Sequence, residues 1–199
     1  TARIAAQVDD LSGGRLTLGI GAGWQEREHA MFGYDLLDVE ARFARFEEGL
    51  QVITGLLRGA ERLTFAGRYY RVQDAILLPP PARPGGPPIL IGGNGPQRTL
   101  PLVARYADEW NGVYLPARRF AELSARLDEL LAAAGRAPGD VRRSLMTNIQ
   151  FGRDEAEYRA LPALQGRSAD DLIARGVIAG TPGAVVEQLG RLAEAGVQR

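Results

Sequence analysis

The sequence contains no cysteine, and among its 199 residues it has a single histidine, His29. The absence of cysteine excludes disulfide bonds, thiolate-ligated zinc and thiol catalysis within this chain, and one histidine cannot form a histidine metal cluster. No apolar run approaches the roughly 18 residues that a membrane-spanning helix needs, and no basic-plus-apolar signal opens the chain. We therefore expect no metal site and no membrane span, and the simplest location is the cytoplasm.

An excess of charge of either sign is also missing. All 24 basic residues are arginine, and 24 acidic residues balance them to a formal net charge of zero. Nucleic acids and anionic membranes attract proteins with a basic excess, so the composition gives no reason to expect such a partner. Hydrophobic residues make up 45% of the chain, which is enough to bury the core of one sizeable domain.

Short apolar runs alternate with helical patterns along the chain. This order indicates an α/β fold with a parallel sheet, in which ligands bind at the carboxyl ends of the strands. The chain opens within a helical pattern and ends at Gly196–Arg199, where another strand is expected, so we interpret it as a piece of a larger fold. The predicted strands are 15–22, 89–91, 107–114 and 143–151, with a hairpin over 63–72 that turns at Ala66-Gly67. The predicted helices are 2–11, 26–32, 39–57, 96–106, 116–134, 154–161, 169–175 and 182–195.

The segment Pro88–Leu100 combines a buried strand, a glycine turn and the start of a helix. Gly92, Gly93 and Gly95 let the backbone turn sharply and approach a ligand closely. Pro96 suits the first helical position, and a helix starting there would aim free N–H groups at the turn. Such a turn binds a phosphate or carboxylate. The alternative is a plain strand-to-helix turn with glycines for steric reasons, and the motif alone does not decide between the two.

A second glycine turn, Gly21 to Trp24, follows the predicted strand 15–22. It lacks the downstream acidic partner of a dinucleotide-binding fold, so we do not interpret it as one. Trp24 lines a pocket there or packs beneath the next loop. Asn111 and Asn148 are further candidates for polar ligand contacts. His29 is a candidate for proton transfer, although a lone histidine is more often a surface or packing residue.

Several segments together resemble one known family, the luciferase-like flavin oxidoreductases. In chain order these segments are Asp9–Trp24, Arg42–Glu48, Phe65–Tyr70, Pro87–Gly93 and Ala104–Asn111. The Gly-Ala-Gly-Trp turn and the Gly-Gly-Asn-Gly turn are similar to those of the branch that uses the deazaflavin coenzyme F420 instead of FMN.

The resemblance implies a (β/α)8 TIM barrel, present here as an incomplete piece covering about strands four to seven. It implies one partial-barrel domain over 1–199, with an insertion at about 60–88 made of the hairpin and a proline-rich loop. Strands one to three would lie upstream. Because family members draw much of their catalytic acid, base and ring contacts from those strands, the catalytic residues stay unknown. A homodimer is expected for the full-length protein.

The resemblance also implies an oxidoreductase that passes hydride between coenzyme F420 and an unknown organic substrate. An FMN-dependent monooxygenase is the near alternative, and a non-catalytic barrel that only binds a flavin or a phosphorylated ligand is an alternative of another class. The choice of cofactor decides the reaction, since deazaflavin does not support the oxygen chemistry of reduced FMN. The expected cofactor contacts are Gly21, Ala22, Gly23, Trp24, Gly92, Gly93, Asn94, Gly95, Gln97, Arg98, Thr99 and Asn111.

Overall fold

The computed structural model describes residues 1–59, 61–161 and 166–199, and the chain forms two units, Thr1–Ile91 and Gly92–Arg199. We describe each unit by itself. Residue 60, where the insertion was expected to begin, lies outside the described residues, and the assignment of 60–88 as an insertion stays a prediction.

Unit 1 alternates helices with short strands, as predicted. Strand β1 pairs in parallel with β4, with Leu18 opposite Ile89 and Ile20 opposite Ile91. A small core of Ala2, Ala6, Leu57 and Leu77 holds the first and third helices together. The elements are α1 (Ala2–Leu11), β1 (Leu18–Ile20), α2 (Glu26–Phe32), α3 (Val39–Arg58), β2 (Leu63–Ala66), β3 (Arg71–Ala75) and β4 (Ile89–Gly92), which reaches the unit boundary.

Strand β1 is shorter than the predicted 15–22 because a side chain accepts a backbone hydrogen bond in the segment before it. The amide of Leu16 donates to Asp9 Oδ1 at 3.1 Å, and Arg83 Nη2 donates to the same oxygen at 2.8 Å. Asp9 is almost fully buried, so its charge needs these partners. The end of α1 is thereby fixed to the segment that leads into β1.

The hairpin of β2 and β3 is antiparallel, but the predicted two-residue turn at Ala66-Gly67 is wrong. Four residues, 67–70, connect the strands. Glu48 on α3 explains the longer turn, because its carboxylate accepts the backbone N–H groups of Arg68, Tyr69 and Tyr70 at 2.8, 2.8 and 3.1 Å. Strand β3 also runs to Ala75, beyond the predicted end at residue 72.

Unit 2 continues the alternation. Strands β5 and β6 pair in parallel from Glu109 opposite Arg142 to Val113 opposite Met146. Trp110 stacks on Phe120 with ring centroids 4.9 Å apart, in a core where both side chains are fully buried. The elements are α4 (Thr99–Tyr106), β5 (Glu109–Val113), α5 (Ala117–Ala133), a 3₁₀ turn (Pro138–Asp140), β6 (Arg142–Met146), β7 (Ile149–Phe151), α6 (Glu155–Arg159), α7 (Ala169–Ala174), β8 (Ile178–Gly180) and α8 (Pro182–Glu194).

The predicted strand 143–151 is two strands. β6 ends at Met146, and β7 pairs in parallel with β8, Ile149 opposite Ile178. Thr147 lies in the break, where its hydroxyl donates to the carbonyl of Gly176. This bond anchors the chain as it changes partner.

Two further segments of unit 2 bear on the predictions. The helix predicted over 154–161 is shorter, with Asp154 as its N-cap. At the end of the chain, Gln198 N–H donates to the Arg143 carbonyl at 2.9 Å, so the chain lies along β6 where a strand was expected to start. None of the helices within the described ranges is long and apolar enough to span a membrane.

Candidate functional site

The helix after the Gly92–Gly95 turn begins at Thr99, and the prediction that Pro96 opens it is wrong. Residues 96–98 form a turn, and the amides of Thr99 and Leu100 both donate to the Gly95 carbonyl at 3.0 Å. One carbonyl thus satisfies the first helical donors, which were expected to face an anion. The exposed residues Gln97 and Arg98 precede the helix and make no described backbone bond through their amides.

Asn94 clamps the turn onto the end of β5. Its Nδ2 donates to the Val113 carbonyl at 2.7 Å, and its Oδ1 accepts the Val113 amide at 2.9 Å. The side chain therefore imitates the backbone of a neighbouring strand. Because both of its polar atoms are used inside the protein, the structure gives Asn94 the role of holding the turn.

Gly93 is locked in place by two backbone bonds. Its amide donates to the Asn111 carbonyl at 3.0 Å, and its carbonyl accepts the indole N–H of Trp110 at 2.9 Å. Gly93 has φ +129°, a conformation that favours glycine. Together with the bonds of Asn94, these bonds fix the turn to β5.

The glycines of the turn have different reasons to be glycine. A Cβ at Gly93 or Gly95 would lie 3.3 or 3.1 Å from the Thr99 hydroxyl, so close packing of buried Thr99 explains both. A Cβ at Gly92 would meet only the Asn111 carbonyl, at 3.8 Å, which is ordinary contact. Neither backbone conformation nor packing thus requires a glycine at position 92, and the space in front of it is open.

Asn111 lies opposite Ser144 in the parallel register of β5 and β6. Its Nδ2 donates to Ser144 Oγ at 2.9 Å, and the buried Ser144 hydroxyl donates to the Trp110 carbonyl at 3.2 Å. This chain fixes the amide, and no described hydrogen bond uses Asn111 Oδ1. A ligand that donates a hydrogen bond could therefore bind this oxygen.

Ser144 and Trp110 were missed as supporting residues. Only the register of the sheet places Ser144 beside Asn111, and a sequence pattern does not contain the register. Of the remaining candidates, the side chain of Asn148 is exposed and lies in the break between β6 and β7.

In unit 1, the Gly21–Trp24 turn borders a cavity of about 510 Å³ that Gly21, Ala22, Gly23 and His29 help to line. In the described part of the chain, no atom beyond its two chain neighbours lies within 4 Å of a Cβ built on Gly21, so this glycine also faces open space. Trp24 is 79% exposed and is not among the lining residues.

His29 packs against the same turn. Its Nδ1 lies 2.8 Å from the Gln25 carbonyl, and because a carbonyl only accepts, Nδ1 carries the proton of that bond. Its Nε2 would lie 3.0 Å from a Cβ at Gly23. This geometry fits a packing residue, and a role in proton transfer stays a prediction. Within the described part of the chain, no three His, Asp or Glu side chains group to hold a metal ion.

The model of the luciferase-like monooxygenase family matches residues 1–169. The chain belongs to this family. Over 152 residues it is 34% identical to an F420-dependent glucose-6-phosphate dehydrogenase of Intrasporangium calvum, covering 72% of this chain and 43% of that protein. It is 27% identical to an FMNH(2)-dependent dimethylsulfone monooxygenase of Pseudomonas putida, covering 81% of this chain and 43% of that protein. The chain thus spans less than half the length of these two relatives.

A solved structure of an F420-dependent secondary alcohol dehydrogenase in complex with an F420-acetone adduct has the same fold. The TM-score is 0.83 at 20% sequence identity, and the match covers 98% of this chain and 66% of that one. The predicted α/β fold is confirmed, and its parallel strand pairs fit part of the (β/α)8 barrel of the family.

Proposed function

We propose that this chain takes part in hydride transfer between coenzyme F420 and an organic substrate. The observations that carry the proposal are the open space in front of Gly92 and the unused Oδ1 of Asn111, a residue whose backbone carbonyl lies 3.8 Å from a Cβ built on Gly92. Gly92 is the last residue of β4 and Asn111 lies within β5, and barrels of this type bind ligands at the carboxyl ends of their parallel strands. The 34% identity to an F420-dependent dehydrogenase supports the choice of coenzyme.

The residues of unit 2 fit a flavin-like coenzyme. Gly92 leaves room for close approach to the backbone, and Asn111 Oδ1 is an acceptor for a ring N–H. Gln97 and Arg98 offer amides and one positive charge for a phosphate. The coenzyme, when bound, supplies the hydride chemistry, and the protein binds and orients it. Asn94 keeps the turn in place during binding.

An FMN-dependent monooxygenase is the second candidate function, because one relative is such an enzyme. Titration of the protein with each coenzyme, followed by coenzyme fluorescence, separates the two. We expect saturable binding of F420 at concentrations where FMN does not bind. Tight FMN binding without F420 binding would reject the first proposal.

A turnover assay separates this proposal from the third alternative, a non-catalytic barrel that only binds a flavin or a phosphorylated ligand. We expect F420 reduction or oxidation with at least one member of a panel of alcohols, ketones and sugar phosphates. Coenzyme binding without turnover of any member would favour the binding protein. The homodimer predicted for the full-length protein is part of this proposal and is testable by sedimentation of that protein.

A further inference from the structure

The cavity of about 510 Å³ in unit 1 contains a guanidinium group without a partner. Its wall includes the Gly21–Gly23 turn, the segment after α2 and residues 42–53 of α3, with Arg42 and Arg45 one turn apart on that helix. The volume falls within the range of about 300–1,000 Å³ typical of small-molecule sites.

Arg42 is half-buried, and its Nε is shielded from solvent without any hydrogen-bond partner. Its side chain makes no hydrogen bond or ion pair with residues 1–59, 61–161 or 166–199. A shielded charged donor without a partner weakens a fold, because it has lost water and gained nothing in exchange. An anion in the cavity would supply the missing acceptor.

The surrounding groups favour an anion. Arg45 Nη1 donates to the Asp35 backbone carbonyl at 3.0 Å, which ties the segment after α2 to α3 and brings a second positive charge to the wall. The Asp35 side chain is the one carboxylate among the described lining residues, and it is exposed to solvent. The two arginines therefore outnumber it.

Part of the wall is apolar. Ile20, Phe46, Leu50 and Ile53 line it, so an organic group can be buried next to the charged end. A guanidinium presents parallel N–H donors that match the oxygens of a carboxylate or a phosphate. We propose that this cavity binds a small organic anion, with Arg42 as the contact for its carboxylate or phosphate group. Gly21, Ala22 and Gly23, which were expected to contact the coenzyme, line the same cavity, but the proposal rests on Arg42 and not on the coenzyme assignment.

The test follows the Arg Nε–H signals of ¹⁵N-labelled protein by NMR, at about 0.15 M salt, where distant charges are screened. The signal of Arg42 is the one that both Arg42→Gln and Arg42→Lys remove. Inorganic phosphate and acetate are titrated separately. We expect a saturable shift of this signal with at least one probe. Phosphate alone indicates a phosphorylated ligand, and acetate alone indicates a carboxylate; either result supports the site.

Three variants test the contact, with affinity measured by calorimetry. Arg42→Gln should weaken binding about tenfold or more, since a charge-assisted pair is lost. Arg42→Lys keeps the charge and should retain part of the affinity. Arg27→Gln removes an exposed arginine of α2 that does not line the cavity, and should change affinity less than about twofold.

Thermal unfolding of each variant excludes loss of fold as the cause. If Arg42→Gln does not fold, the shift of the wild-type Arg42 signal and the affinity of Arg42→Lys decide whether Arg42 contacts the anion. No saturable shift with either probe, or equal losses in Arg42→Gln and Arg27→Gln, would overturn the proposal.

Discussion

Gly92 and Gly93 are adjacent glycines, but only the backbone conformation of Gly93 requires a glycine. At Gly93 the backbone has φ +129°, which an alanine adopts only with strain, whereas Gly92 has ordinary backbone and open space. We predict that Gly92→Ala changes the free energy of unfolding by less than about 1 kcal/mol. It should nevertheless weaken coenzyme binding about tenfold or more, because the methyl group occupies the ligand's space. Urea unfolding and fluorescence titration measure the two effects.

Gly93→Ala is the matched control for that prediction. Strain at this position should lower the free energy of unfolding by about 1–3 kcal/mol. If Gly92→Ala destabilised the protein as much as Gly93→Ala, or left coenzyme affinity unchanged, the glycine at position 92 would have a structural reason and not a ligand-binding one.

The bonds of Asn94 lead to a prediction that concerns only the stability of the protein. Asn94→Ala removes both hydrogen bonds to Val113. The backbone N–H and carbonyl of Val113 then lack those partners. We expect the free energy of unfolding to fall by about 1–3 kcal/mol, measured by urea denaturation. The exposed Asn148 is the control, and Asn148→Ala should change it by at most about 0.5 kcal/mol. Equal effects at the two positions would argue against the clamp.

At the scale of elements, Glu48 couples α3 to the β2–β3 hairpin. Burial disfavours its charged form, but the backbone N–H groups of Tyr69, Arg68 and Tyr70 and the charge of Arg68 outweigh that effect. The pKa of Glu48 is therefore lowered below its ordinary value of 4.5. A lowered pKa in the folded state stabilises the protein above the unfolded-state pKa, and this contribution is lost as pH falls through the folded-state value.

Glu48→Gln should accordingly be less stable than the wild type at pH 7. The difference in free energy of unfolding should stay constant down to about pH 5 and shrink at lower pH. Denaturation of both proteins across this range measures it. Glu28→Gln, which alters an exposed carboxylate of α2 with no described hydrogen bond, should show no such trend. A difference that persists undiminished in strong acid would contradict the explanation.

Local patterns predicted the elements whose signals are local. The apolar spacing from Phe43 to Leu57 predicts α3, and the helix runs over Val39–Arg58. The run Ile89–Ile91 predicts a buried strand, and Ile89 and Ile91 are fully buried in β4. These predictions needed only the periodicity of buried side chains.

The sequence-based predictions failed where the structure depends on a contact between residues that are distant in the sequence. The hairpin turn is longer than predicted because Glu48, about twenty residues away, satisfies its amides. The glycines at 92, 93 and 95 were predicted as a group, yet the position of Thr99 distinguishes Gly93 and Gly95 from Gly92, and the positive φ of Gly93 separates it further. Likewise, Ser144 supports Asn111 only through the register of β5 and β6. Such contacts depend on tertiary structure, which periodicity does not encode.

At the scale of the whole molecule, we expect charge balance and exposed apolar side chains to promote self-association together. The isoelectric point calculated from the sequence is about 6.5. In unit 1, the exposed large apolar residues include Leu11, Trp24, Met31 and Phe32. Proteins associate most readily where net charge vanishes, and apolar surface provides the attraction.

We therefore predict concentration-dependent self-association that is strongest near pH 6.5 and weaker at pH 8.5, where the net charge is negative. Sedimentation velocity at both pH values measures the average mass. Phe32→Glu places a charge on the exposed face of α2, so it should reduce association at pH 6.5 without altering the unfolding temperature. Val186→Glu, on an exposed position of α8 in unit 2, is the matched control. Equal reduction by both variants would assign the effect to net charge alone, and association independent of pH would contradict the role of charge balance.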